Sequence, residues 1–301
     1  MTALPGKVNR AKSDRGFFII IKMQQFDQDR VSLKPDREDG AFSVLQITDT
    51  HLFGKPGSTL VGIDTRKSLQ AVVAAVKDQG IPFDFVVTTG DLSQDYTLES
   101  YVAFRDIMRA FSEPVFFLPG NHDDGPLMYR EMAGLGISAA RNIIIGKWQF
   151  VLLNTQVYNN PMGWILPEQL AYLEGCLEEH SDLYTAVCLH HNPFEVKCLW
   201  LDAHVLKNRD DLISLVSRYP RVRLVLCGHV HQEHDFIQNG VRYISSPSTS
   251  IQFAPLCDRF TLDALGPGWR YLKFTPDGGI STTVHRLAGG EFLPDFTVGG
   301  Y

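Results

Sequence analysis

The sequence has no apolar run approaching the ~20 residues that a membrane-spanning helix needs. Its most apolar N-terminal stretch, Phe17-Phe18-Ile19-Ile20-Ile21, is short even for the core of a secretory signal. No small-residue cleavage site follows it, so neither a leader nor a membrane partner is expected. Cysteine is scarce: Cys176, Cys188, Cys198, Cys227 and Cys257, an odd number with no Cys-x-x-Cys pair. That spacing excludes a disulfide framework and a zinc ribbon. Cys188 and Cys227 lie in apolar runs and read as small core residues. A reducing compartment, the cytoplasm, is expected. Excess positive charge is missing too, since 28 Lys and Arg stand against 34 Asp and Glu, a formal charge of −6. A mildly acidic chain has no general attraction for phosphate polymers, so nucleic-acid binding is not expected.

What is present fits a folded protein: 301 residues, 44% of them hydrophobic and 21% charged. Residues 1–40 read as a loosely attached N-terminal extension, and Met23 within it offers a second start site. Residues 41–301 read as one domain with a hairpin-rich C-terminal tail. Strand-like runs at 42–47, 85–88, 115–118, 186–189 and 222–227 alternate with helix-like segments at 68–77, 98–111 and 167–179. Gly146-Lys147 and Asn239-Gly240 sit between apolar runs and predict tight hairpins, the second of type I′. Pro276-Asp277-Gly278-Gly279 predicts a further turn. The alternation argues for a layered α/β fold with strands buried on both faces. The later hairpins suggest a second, more antiparallel sheet.

Five of the strand runs end in a polar cluster. They are Asp49-x-His51, Gly90-Asp91, Gly120-Asn121-His122-Asp123, His190-His191 and Gly228-His229-Val230-His231. Each alone is an ordinary turn or a structural histidine. Jointly they place carboxylate, amide and imidazole donors at the carboxyl ends of strands, the ligand-binding edge of α/β sheets. A mixed oxygen and nitrogen set without thiolates suits manganese, iron or zinc. The donors exceed what one ion needs, and two ions about 3.5–4 Å apart sharing a carboxylate would use them.

In this order the clusters resemble those of the calcineurin-like metallophosphoesterases, over about residues 42–244. Leu45-Gln46-Ile47-Thr48-Asp49-Thr50-His51-Leu52-Phe53, Leu118-Pro119-Gly120-Asn121-His122-Asp123, Leu226-Cys227-Gly228-His229-Val230-His231-Gln232-Glu233 and Pro247-Ser248-Thr249 are similar to the bacterial class III cyclic-AMP phosphodiesterases. So are Pro267-Gly268-Trp269-Arg270 and Val284-His285-Arg286-Leu287 in the tail. The resemblance implies a four-layer α/β/β/α sandwich of two mixed sheets flanked by helices. It implies two divalent metal ions per subunit, iron or manganese, with zinc also compatible. Asp49, His51 and His231 would hold one ion, Asn121, His190 and His229 the other, and Asp91 would bridge them. His190 is preferred to His191 because it directly follows its strand. His122 would face the substrate phosphate as the catalytic group. His51, Asp91, Asn121, His122 and His231 would together contact substrate.

The implied reaction is hydrolysis of 3′,5′-cyclic AMP to 5′-AMP by a monomer or homodimer, lowering cyclic-AMP signalling. Trp200, His204 and Phe253 are candidates for the walls of a base pocket, or for plain packing. Two alternatives remain: the same site acting on other phosphodiesters or phosphomonoesters, and a non-catalytic scaffold on this fold. His229-Val230-His231-Gln232-Glu233-His234 nearly spells the His-x-His-x-Asp-His motif of metallo-β-lactamase-fold hydrolases. That reading leaves the upstream clusters unexplained.

Overall fold

The computed structural model of the chain describes residues 29–133 and 136–298. In chain order its elements are β1 (Arg30–Leu33), β2 (Phe42–Gln46), β3 (Thr59–Leu60), β4 (Ile63–Asp64), α1 (Thr65–Gln79), β5 (Phe85–Thr88), α2 (Leu98–Met108), β6 (Val115–Phe117), α3 (Gly125–Met132), β7 (Ile137–Ser138), β8 (Asn142–Ile145), β9 (Trp148–Leu152), α4 (Pro167–Glu179), β10 (Tyr184–Cys188), α5 (Leu199–Asp202), α6 (Arg209–Ser217), β11 (Val222–Cys227), β12 (His234–Gln238), β13 (Val241–Ser245), β14 (Gly268–Phe274) and β15 (Ile280–Arg286). Helix starts follow local chemistry. The side chains of Asp64, Thr97 and Asp124 accept backbone N–H groups that the first turns of α1, α2 and α3 leave without partners.

Two mixed sheets form. One runs β15-β14-β2-β5-β6-β7, the other β1-β8-β9-β10-β11-β13-β12. Side chains alternate along a strand, so each sheet buries two faces. Phe85 and Val87 of β5 meet Trp148, Phe150 and Leu152 of β9 between the sheets, while Val86 turns outward to α1, α2 and α3. On the other outer face, Val151, Val187 and Val225 pack under α4 and α6. The layers are therefore α/β/β/α, as expected. Aromatic edges lock the middle: Phe85 and Phe150 lie 5.1 Å apart at 88°, and Phe150 and Phe274 5.0 Å apart at 80°.

Two expectations change. The later hairpins do not make a sheet of their own. β14–β15 adds an antiparallel edge beside β2, and β12–β13 ends the other sheet beside β11. Each hairpin covers an edge that a parallel strand would leave open. The segment read as an extension also ends earlier. Arg30–Leu33 pairs in parallel with β8 and buries Val31 between the sheets. Arg30 pairs with Glu179 of α4, and Arg141 with Asp29 at 2.9 Å. A four-residue strand flanked by charge has too little pattern to be read from sequence. The expectations for residues 1–28, including the start site, lie outside the described residues. Among the described residues, no helix is long and apolar enough to cross a membrane.

Candidate metal centre and its pocket

β2, β5 and β6 are parallel neighbours in one sheet, and β10 and β11 in the other. Their carboxyl ends face one another, which brings together residues as far apart in sequence as Asp49 and His231. The backbone bends sharply there. Asp49, His51, Asp91, His229 and His231 all have positive φ, between 47° and 71°. Non-glycine residues avoid this region at a cost of order 1–3 kcal/mol, which the surrounding hydrogen bonds must outweigh. The turn lets consecutive side chains leave the strand end in one direction. Glycines permit the approach: a Cβ on Gly120 would fall on Asp91 Oδ1, and one on Gly228 would lie 2.6 Å from Asp49 Oδ2.

Tautomers are fixed by backbone and amide oxygens. His51 Nδ1 lies 2.6 Å from Gln94 Oε1, His231 Nδ1 2.8 Å from Ile251 O, and His190 Nδ1 2.7 Å from Thr89 O. These oxygens only accept, so each Nδ1 carries a proton and each ring, when neutral, has its lone pair at Nε2. The lone pairs point at one another and at carboxylates. His51 Nε2 is 3.1 Å from His231 Nε2, which is 3.4 Å from Asp49 Oδ1. His190 Nε2 is 3.0 Å from Asn121 Oδ1, 3.2 Å from His229 Nδ1 and 3.3 Å from Asp91 Oδ2. Acceptors facing acceptors in a buried site repel unless a cation lies among them, either a metal ion or the second proton that Asp91 favours on His190. Asp91 spans both groups. Its Oδ1 takes the His122 N–H at 2.8 Å, leaving Oδ2 between His190 and His51, the latter at 3.8 Å. These donors fit two divalent cations.

Electrostatics agree. Burial pushes His51 down to about 3, against the pull of Asp91. Burial, then His191 and His190, hold His229 well below the usual imidazole range. Burial would lower His190 as well, but Asp91 overrides it and raises His190 to about 9. Burial alone would raise Asp91, yet His190 and His122 hold it well below the ordinary carboxylate range. His191 pairs its Nδ1 with the Thr155 hydroxyl at 2.8 Å. One of its ring nitrogens still lies within 4.8 Å of the ligand atoms of His190 and His229.

Supporting residues escaped the sequence reading. Thr89 and Ile251 act through backbone oxygens, which carry no sequence signal. Gln94 lies three residues after Asp91, outside the cluster, and looks like any loop amide. Asp123 was visible in its cluster without a role. Its buried carboxylate accepts N–H groups of Gly120, Leu92 and Ser93 and the Tyr101 hydroxyl, tying the β5 and β6 loops together. Burial and nearby Asp91 push it up to about 7.

Beside Asn121, His122 and His229 opens a cavity of about 330 Å³, within the usual roughly 300–1,000 Å³ range of small-molecule pockets. Trp200, His204 and Phe253 line it, as does Phe260, which the sequence reading missed. Trp200 meets Phe253 at 4.8 Å and Phe260 at 5.3 Å. Phe253 in turn stacks on His231 at 4.3 Å. The Trp200 indole N–H is buried and has no hydrogen-bond partner among the described residues.

An α/β/β/α sandwich whose strand ends gather two sets of oxygen and nitrogen donors around a shared aspartate defines a metallophosphoesterase. The chain belongs to the calcineurin-like phosphoesterase family, which it matches over residues 42–233. It is 44% identical over 259 residues to the 3′,5′-cyclic adenosine monophosphate phosphodiesterase CpdA of Escherichia coli (strain K12), spanning 86% of this chain and 94% of that protein. It is 40% identical over 264 residues to the protein of the same name from Vibrio vulnificus, spanning 87% and 96%. A 3′,5′-cyclic-nucleotide phosphodiesterase of Nostoc sp. is 35% identical over 246 residues, spanning 81% and 92%. A dimetal phosphatase from Danio rerio shares the fold at 12% identity, with a TM-score of 0.53, covering 82% of this chain and 99% of that one.

Proposed function

We propose that this chain hydrolyses 3′,5′-cyclic AMP to 5′-AMP. The observation that carries the reading is the convergence of imidazole lone pairs and carboxylate oxygens around Asp91 Oδ2, beside an aromatic-walled cavity. The names of relatives 35–44% identical over most of the chain support the substrate. Asp49, His51 and His231 would hold one cation, Asn121, His190 and His229 the other, and Asp91 would serve both. Iron or manganese suits this thiolate-free set, and zinc remains compatible. When bound, the cations supply a nucleophilic water at neutral pH and offset charge on the phosphoryl oxygens.

The chain's own groups do the rest. His122 stands edge-on to His51 with ring centroids 5.1 Å apart. Burial lowers its pKa although Asp91 opposes that. It lines the cavity, where it can steady the phosphate and pass a proton to the leaving 3′ oxygen. Its backbone N–H meanwhile holds Asp91 in register. Trp200 and Phe260 line the cavity where the base would sit. Together they exclude water and orient the cyclic ester for in-line attack.

The test is an assay of the purified, metal-analysed protein. Cyclic AMP, an aryl phosphodiester and an aryl phosphomonoester are compared side by side. The expected result is two metals per chain and highest kcat/KM on cyclic AMP. A preference for the monoester would replace this reading with a phosphatase, and absence of any turnover would favour a scaffold.

A further inference from the structure

The aromatic wall of the cavity is made by two segments that meet at a pair of thiols. Cys198 is buried and immediately precedes α5, which carries Trp200. Cys257 is half-buried in the 253–262 loop, closed by the Phe253–Leu262 bridge and by the Ala254 N–H to Thr261 O at 2.9 Å. That loop carries Phe253 and Phe260. The Cys257 N–H donates to Cys198 Sγ at 3.2 Å. With an N–Cα bond of about 1.46 Å, the Cys257 Cα lies within about 4.7 Å of that sulfur. The Cys257 thiol now points to Pro255 O at 3.4 Å, and Cys198 Sγ to Ala254 O at 3.5 Å. Rotation about the Cys257 Cα–Cβ bond is the motion that brings the two sulfurs together.

We propose that Cys198 and Cys257 are a reversible thiol–disulfide site, whose oxidation by a small-molecule disulfide draws the aromatic loop onto α5 and narrows the base cavity. Exposure sets the order of events. The Cys257 thiolate attacks the small disulfide, forming a mixed disulfide and displacing one small thiolate. The Cys198 thiolate then attacks the Cys257 sulfur and displaces the second. Two protein thiols are oxidised, one small disulfide is reduced to two thiols, and the two protons pass from the cysteines to the released thiolates. The effect on the pocket rests on the cyclic-nucleotide reading above.

The test uses the full-length, metal-loaded protein treated with oxidised glutathione, then alkylated and peptide-mapped without reduction. The expected product is a Cys198–Cys257 cross-linked peptide, reversed by a phosphine reductant. KM for cyclic AMP rises about tenfold, the factor that 1.4 kcal/mol of lost binding produces. Metal content and the hydrolysis of methyl p-nitrophenyl phosphate, which has no base, stay constant. Cys257→Ser keeps the basal KM and loses the response to oxidised glutathione. A glutathione adduct that never resolves onto Cys198, or a cross-link that leaves KM unmoved, overturns the proposal. Reduced protein inactive on cyclic AMP would count against the function reading instead, and the peptide map would still decide the thiol pair.

Discussion

Asp91 contributes one oxygen to both groups of donors and the other to the His122 N–H. Asp91→Ala is therefore expected to lose both metals and all turnover, read by elemental analysis and a cyclic-AMP assay. Two bound metals with turnover retained would remove its bridging role. His122 lines the cavity and also brings a ring nitrogen within 4.8 Å of the ligand atoms of His51 and Asp91. His122→Ala should keep both metals and lose about 10²–10⁴-fold in kcat, the usual range for a proton-transfer group. Collapse of metal content would instead make His122 a ligand. The titration of His190 sets a pH dependence. Its pKa rises from 6.5 to about 9 in the metal-free fold because of Asp91. A cation must displace that proton, so apparent metal affinity should climb between pH 6.5 and 9, with proton release seen by calorimetry in different buffers. By the same linkage, the metal-free protein is stabilised by His190 below pH 6.5 and loses that contribution as pH rises through 9. His51, already neutral above about 3, adds no such competition.

At the scale of elements, the strand ends matter more than the strands. The turns after β2, β5 and β11 hold five non-glycine residues at positive φ, secured by hydrogen bonds from elsewhere in the fold. The Asp49 backbone O accepts the Ser248 hydroxyl at 2.7 Å, and its carboxylate accepts Thr48 Oγ1 at 2.7 Å. Thr48 in turn accepts from Thr89, and Thr89 from Gln46. Gln46 also accepts from Ser246, and Ser246 from the buried Arg270 guanidinium of β14. The tail hairpin thus stiffens a turn some 220 residues upstream in the chain order of Asp49 and Arg270. Gly120 is the sharpest test. Gly120→Ala puts a methyl into Asp91 and should lower metal occupancy and stability, by about 1–3 kcal/mol for overpacking. Chemical denaturation and metal analysis read both, and an unchanged metal content would show that the β5 turn yields. Helix existence was legible here: 68–77 and 167–179 fall within or on Thr65–Gln79 and Pro167–Glu179. β1, β7 and the β3–β4 ribbon were not, because two-residue strands carry too few side chains to show a period and the four residues of β1 alternate polar and apolar instead of forming an apolar run.

At the scale of the molecule, the shared inter-sheet core holds the two sets of strand ends in mutual position. Phe150 packs against Phe42, Phe85 and Phe274, contributed by the opposite sheet. Phe150→Ala should cost about 3–5 kcal/mol. Because the sheets carry different donors, its metal affinity should fall as well, read by thermal unfolding with and without added metal. A large loss of stability with unaltered affinity would mean that each sheet positions its donors alone.

The order and chemistry of the strand-end clusters were written in the chain itself. Polar residues that close an apolar run are visible locally, and their oxygen and nitrogen donors limit the partner to a hard or borderline cation. Which sheet each hairpin joins, that residues 30–33 belong to the fold, and how Gln94, Thr89 and Ile251 aim the imidazoles were decided only in three dimensions. Those are contacts between groups far apart in sequence, several through backbone oxygens that every residue possesses. Only packing can select among them.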